Sequence, residues 1–78
     1  MIELVIRREL EQKVQSAQVC FVVDVEDNNL RIYPLNRKIT SRLIEKIELV
    51  LDSFGGFFDY VIEYDDERKS VYIYIGGV

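Results

Sequence analysis

The sequence predicts an α+β fold: a two-layer sandwich of order αββαββ, with two helices on one face of a four-stranded, mainly antiparallel sheet. Three observations predict it. A segment in the middle of the chain repeats apolar residues at helical spacing. Two segments, one on each side of it, alternate apolar and polar residues around a polar turn. The two halves of the chain also match each other weakly, at an offset of roughly 39 residues.

The central helix is expected from about Lys38 to Phe54, where Ile39, Leu43, Ile47, Val50, Leu51 and Phe54 recur at three- and four-residue steps. Pro34 and Asn36 lie upstream as stop and cap, and Gly55-Gly56 sit where a left-handed C-terminal cap is wanted. The first hairpin alternates Val19, Phe21, Val23 and Val25, turns at Asp27-Asn28-Asn29, and resumes with Leu30 and Ile32. The second alternates Phe58, Tyr60, Ile62 and Tyr64, turns through Asp65 to Ser70, and ends with Val71, Ile73 and Ile75 before Gly76-Gly77-Val78.

The opening segment reads two ways. As a helix it carries a stripe of Ile2, Ile6, Leu10, Val14 and Ala17, with Leu4 and Val5 outside it. As a strand it aligns Ile2, Leu4 and Ile6, which gives a ferredoxin-like βαββαβ core plus an extra C-terminal strand. The internal match favours the helix. It sets Leu4 on Leu43, Glu9 on Glu48, Leu10 on Leu49, Val22 on Val61 and Val23 on Ile62. Beyond a turn about two residues longer, Leu30 falls on Val71, Ile32 on Ile73 and Tyr33 on Tyr74. The chain is then a single domain, 1–78, with a repeat of 1–38 and 39–78.

Composition narrows the function classes. A 78-residue chain that is 49% hydrophobic and 31% charged is globular, yet small enough to need help from disulfides, a metal or oligomerisation. Cys20 has no partner cysteine, and there is no histidine for a zinc or copper site. Oligomerisation remains, and a homodimer is the expectation. No apolar run approaches the length of a membrane span, and Glu3 and Arg7-Arg8 do not make the basic head of a signal peptide. A cytoplasmic protein without membrane partners is expected. A net charge of −4 disfavours general electrostatic binding of nucleic acid.

The alternation also defines an outward face: Cys20, Val22, Asp24, Glu26, Arg31, Tyr33, Leu35, Phe57, Asp59, Val61, Glu63, Tyr72 and Tyr74. Both helices cover the other face, so this one is bare in a monomer. A half-solvated sheet normally shows polar residues at most such positions. Apolar and aromatic patches rimmed by charge mark contact surfaces, which makes Val22, Tyr33, Val61, Tyr72 and Tyr74 the expected protein interface. The plain alternative is that valine and tyrosine have high strand propensity and tolerate water.

Other chemistries are weaker. Tyr33, Tyr72 and Tyr74 could stack nucleobases, but their neighbours Asp59, Glu63, Asp65, Asp66 and Glu67 repel phosphates. Lys38, Arg42 and Lys46 step by four along the central helix with Leu49 at the end of the row, a candidate contact for nucleic acid or another partner. The alternative is a solvated row paired with Glu45, Glu48 and Asp52. The acidic turns lack the spacing of a calcium loop, and no catalytic motif is present, so no enzyme activity, cofactor or metal is expected. In topology the order αββαββ resembles the duplicated core of the LAGLIDADG homing endonucleases. That family's helix ending in an acidic metal ligand has no counterpart in "IELVIRRELEQ" or "SRLIEKIELVLD", and its DNA-binding sheet is basic. The expected function is that of a small non-enzymatic interaction module that homodimerises through the open face or edge of its sheet, with a dimeric nucleic-acid-binding regulator as the alternative.

Overall fold

The computed structural model describes residues 2–16 and 18–76. Six elements follow in order: α1 (Ile2–Lys13), β1 (Phe21–Glu26), β2 (Asn29–Pro34), α2 (Ser41–Asp52), β3 (Asp59–Asp65) and β4 (Ser70–Gly76). All strand pairs are antiparallel and the sheet order is β1-β2-β4-β3. The order is αββαββ, and the ferredoxin-like alternative is excluded because its first strand is helical.

The helix wins in the opening segment because only that conformation puts Ile6, Leu10 and Val14 on one buried stripe, with Ile2 packed against it. Leu4 and Val5 are left exposed. Ion pairs between Lys13 and Glu9 (2.7 Å) and between Arg7 and Glu11 (3.4 Å) brace the outer surface, each contributing a few tenths of a kcal/mol. Ala17, the last residue expected on the stripe, lies outside the described residues, as do Gly77 and Val78.

α2 is shorter than its apolar spacing suggests. Thr40, not Asn36, is its N-cap: the Thr40 Oγ1 accepts a hydrogen bond from the Leu43 N–H at 3.1 Å. Asn36 instead closes a local turn by accepting from the Lys38 N–H, and Arg37 there takes a positive φ of 59°. Ile39 packs on the core from the loop, and Ile44 joins Leu43, Ile47, Val50 and Leu51 in the buried set. The last turn unwinds through Ser53 and Phe54, and Gly55 at φ 68° redirects the chain toward β3, a conformation that costs glycine nothing.

Phe21, Leu30, Ile32, Phe58, Val71, Ile73 and Ile75 form one core with the buried stripes of both helices, so the two helices lie on the same side of the sheet. Tyr64 was expected to point into this core and is mostly exposed, beside a shallow groove that it lines with Ile39, Ser41 and Ile44 at the start of α2. The turns are tighter than expected. Asp27 and Asn28 alone join β1 to β2, with Asn28 at φ 64°, and Asp65 pairs with Ser70 across a four-residue turn closed by Lys69 at φ 51°.

The two halves correspond in register. Adding 39 to positions in β1 and 41 to positions in β2 turns each pair of the first hairpin into a pair of the second; Val23↔Ile32, for example, becomes Ile62↔Ile73. Three of the four β2–β4 pairs map onto one another: Leu30↔Ile73 exchanges with Ile32↔Val71, and Arg31↔Tyr72 maps onto itself, as on a local twofold axis. The helices do not follow the offset of 39 expected from Leu4, Glu9 and Leu10. Leu10 is buried while Leu49 is exposed, whereas an offset of 41 takes Ile6 to Ile47 and Leu10 to Leu51, all four buried. Two residues turn a helix by more than half a revolution, so the expected alignment set buried positions against exposed ones.

Candidate functional site

The open face is built by register. Each outward residue has a neighbour of the same parity on the next strand, which gives three rows across the sheet. The middle row reads Asp24, Arg31, Tyr72, Glu63. On one side of it Val22 and Tyr33 lie on β1 and β2, and Ser70 and Asp65 lie on β4 and β3. On the other side Glu26, Asn29, Tyr74 and Val61 complete the third row. The expected residues therefore do share a surface, but as a diagonal and not a ring. Val22 and Tyr33 occupy one corner, Tyr72 and Arg31 the centre, and Tyr74 and Val61 the opposite corner. Leu35 and Cys20 extend the diagonal beyond the first corner, where the Leu35 N–H donates to the Cys20 carbonyl, and Phe57 stands on the chain leading into β3. Carboxylates hold the other two corners: Asp24 and Glu26 on one flank, Glu63 and Asp65 on the other.

Val22 (50% exposed), Val61 (57%) and Tyr74 (40%) present apolar surface to solvent. Tyr33 and Tyr72 are half-buried, because Arg31 lies between them. Its guanidinium carbon sits 3.7 Å from the centroid of the Tyr72 ring and 5.7 Å from that of Tyr33. Its Nη1 donates to the Tyr33 hydroxyl at 2.9 Å. Tyr72 and Tyr74 stack in turn, with centroids 5.8 Å apart and planes 15° from parallel. The result is a row of planar groups in mutual contact, Tyr33, Arg31, Tyr72 and Tyr74, carried by the two central strands. Ser70, two residues before Tyr72 on β4, is fully buried, and among the described residues Ser70 Oγ, Asn29 Oδ1 and Arg31 Nε have no hydrogen-bond partner. The sequence marked the tyrosines; the role of Arg31 as their common clamp follows from its place on β2, two residues from Tyr33 and directly opposite Tyr72.

Charge on this face is lopsided. Its outward positions hold five carboxylates (Asp24, Glu26, Asp59, Glu63, Asp65) and one guanidinium, a balance of −4. Elsewhere nine acidic and nine basic residues cancel, so the whole net charge of −4 lies on the open face. Asp65 is partly compensated by Arg68 at 4.0 Å.

The basic row is only partly assembled. Lys38 precedes α2 in the loop and so leaves the helix face, while Arg42, Lys46 and Leu49 do line one side of α2. Lys46, Leu49 and Val50 border a shallow groove with Lys13 and Val14 at the end of α1. No ion pair joins Arg42 or Lys46 to Glu45, Glu48 or Asp52 among the described residues. Glutamates alternate with these cations along the helix, so the row carries no concentrated positive field.

Elsewhere, Tyr60 on β3 donates its hydroxyl proton to Asp52 Oδ1 at 2.7 Å, tying the end of α2 to the sheet. This hydrogen bond, with burial and the nearby charges of Asp52 and Glu48, pushes the phenol up to about 12. Cys20 is exposed, its thiol donating to the Ser16 carbonyl at 3.1 Å. Among the described residues no three His, Cys, Asp or Glu side chains converge to hold a metal ion, and no helix is long and apolar enough to cross a membrane. Comparison with protein-family models, with curated proteins and with solved structures finds no match.

Proposed function

We propose that the protein is a non-enzymatic interaction module whose working surface is the open face of its sheet. One observation carries the reading: both helices cover the same side, while the other side bears an exposed diagonal from Val22 to Val61 through the Arg31-clamped tyrosines. A sheet face meant only for water carries polar residues at such positions. Here the planar groups are also fixed in advance, so a partner that covers them has little side-chain freedom left to freeze out.

The test is a surface substitution read by binding and not by folding. Val61→Asp with Tyr74→Ser removes one apolar corner at exposed positions, and circular dichroism at the assay temperature verifies that the fold is kept. Contact with any partner captured through this face should weaken at least about tenfold. Undiminished contact would refute the reading.

The homodimer expected from the sequence is a specific case of the same reading, and the charge balance gives it a signature. Face-to-face pairing sets −4 against −4, so sedimentation should show association rising with salt as the repulsion is screened. A dimer indifferent to both salt and the Val61/Tyr74 substitutions would use another surface.

A further inference from the structure

We infer that the occupant of the open face is a cationic amphipathic helix, a row of apolar residues bordered on both sides by Lys or Arg. The inference rests on the docking reading above and adds the chemistry of the partner.

The first argument is charge complementarity. The entire net charge of the chain sits on this face, where four of the five carboxylates flank the diagonal on both sides and the fifth, Asp59, stands beyond Val61 at its end. Asp24 and Glu26 stand along one flank, and Glu63 and Asp65 along the other. Apolar contact attracts any hydrophobic segment; two acidic flanks select one whose own flanks are basic, and they repel phosphate-bearing ligands and acidic peptides. A second copy of this chain is the wrong sign, because any overlay of two diagonals brings carboxylates onto carboxylates.

The second argument is dimension. Strands lie about 4.8 Å apart and rise about 3.4 Å per residue, so the diagonal from Val22 to Val61 runs about 20 Å, at about 45° to the strands. A helix covers that length with about 13 residues, and its body is about 10–12 Å wide. Measured across the diagonal, Asp24 and Glu63 stand about 10 Å apart at its middle, and Glu26 and Asp65 about 20 Å apart at the corners. A helix laid on the diagonal therefore lies over the inner pair and between the outer one, with Lys or Arg stems long enough to reach the carboxylates on either side. At the lower corner the exposed Tyr74 ring, already stacked on Tyr72, offers a π face to one of those cations. Arg31 does not oppose this arrangement, since its guanidinium lies over the Tyr72 ring and is hydrogen-bonded to the Tyr33 hydroxyl at the centre, under the apolar row of the ligand.

The probe is a fluorescein-labelled peptide of about 14 residues, with leucines on one helical face and lysines on both bordering rows. Two controls accompany it: a scrambled order that destroys the face, and a version with every lysine replaced by glutamate. Anisotropy titrations of the full chain should give micromolar binding for the first peptide alone. Affinity should fall at least about tenfold from low salt to about 0.5 M salt, and by a similar factor on Asp24→Asn with Glu63→Gln. Both substituted side chains are exposed, and an unchanged melting temperature verifies the fold. Amide shifts should move at Val22, Val61 and Tyr74 and stay still at Leu49. If the glutamate peptide binds the same face equally well, the cationic class is wrong, and if the scrambled peptide does, the amphipathic helix is wrong; in either case the inference fails and the docking reading stands. If no peptide moves the signals of Val22, Val61 or Tyr74, the inference fails; if the Val61→Asp/Tyr74→Ser protein also keeps every contact of the parent, the docking reading fails with it.

Discussion

Replacing Arg31 by Met removes the clamp of the open face and keeps most of the side-chain volume. Two interactions are lost: the cation over the Tyr72 ring at 3.7 Å and the hydrogen bond to the Tyr33 hydroxyl at 2.9 Å. A partly desolvated cation–π contact contributes about 1 kcal/mol, and a hydrogen bond from a charged donor about as much again after exchange with water. The buried Nε without a partner offsets some of this, because its removal relieves a polar atom shut away from solvent. The net loss should be about 1.5 kcal/mol, or about 6–12 °C in melting temperature for a domain of this size. Thermal and urea denaturation followed by circular dichroism would measure it. The decisive form is a double-mutant cycle with Tyr72→Leu, in which the Arg31–Tyr72 coupling should be about 1 kcal/mol. A coupling within about 0.3 kcal/mol of zero would show that the two side chains merely lie near each other, and the account of the face as a fixed array would fall.

Two further outcomes are expected. Ile73→Ala, at a fully buried position on a central strand, should cost about 3–4 kcal/mol by urea denaturation and approach the whole stability of so small a domain, whereas Leu49→Ala, at a position 70% exposed, should change stability by less than about 0.5 kcal/mol. For Tyr60 the phenol is raised in the folded chain from 10.0 to about 12, so the Asp52 contact stabilises fully below pH 10 and is lost as the pH climbs toward 12; Tyr60→Phe should cost about 1 kcal/mol at neutral pH, and the cost should vanish over that alkaline window.

Strands and their faces were legible because a side-chain period of two is hard to mistake: an error of one residue would exchange Ile73 for Tyr72 and bury a wrong set entirely. The helix ends were less legible. Asn36 and Thr40 are both good caps on paper, and the choice fell to Thr40 because Arg37 and Ile39 leave the helical path first, Arg37 at positive φ and Ile39 packed against the core. That shift is also why Lys38 dropped out of the basic row. The match between halves could be seen in the strands, where position fixes face, but misled in the helices, where identities such as Leu10 and Leu49 ignore which side of the cylinder they occupy. In the candidate site the aromatic members could be read from alternation alone. Arg31 could not be read as their clamp, nor the corners as acidic flanks, because both depend on which strand lies beside which, and the pairing of β2 with β4 joins residues about 40 positions apart.

The meeting of Arg31 and Tyr72 at the centre of the sheet has a consequence for symmetry itself. Two identical αββ units paired in this register would bring one residue type against itself on the axis: two guanidinium groups that repel, or two tyrosine rings. One chain carrying both units is free of that restriction and sets a cation against a ring. The single position that a perfect pairing of twins would force to be alike is the one where unlike residues attract most, and the joined chain thereby gains a bond that no symmetric pair of its halves could form.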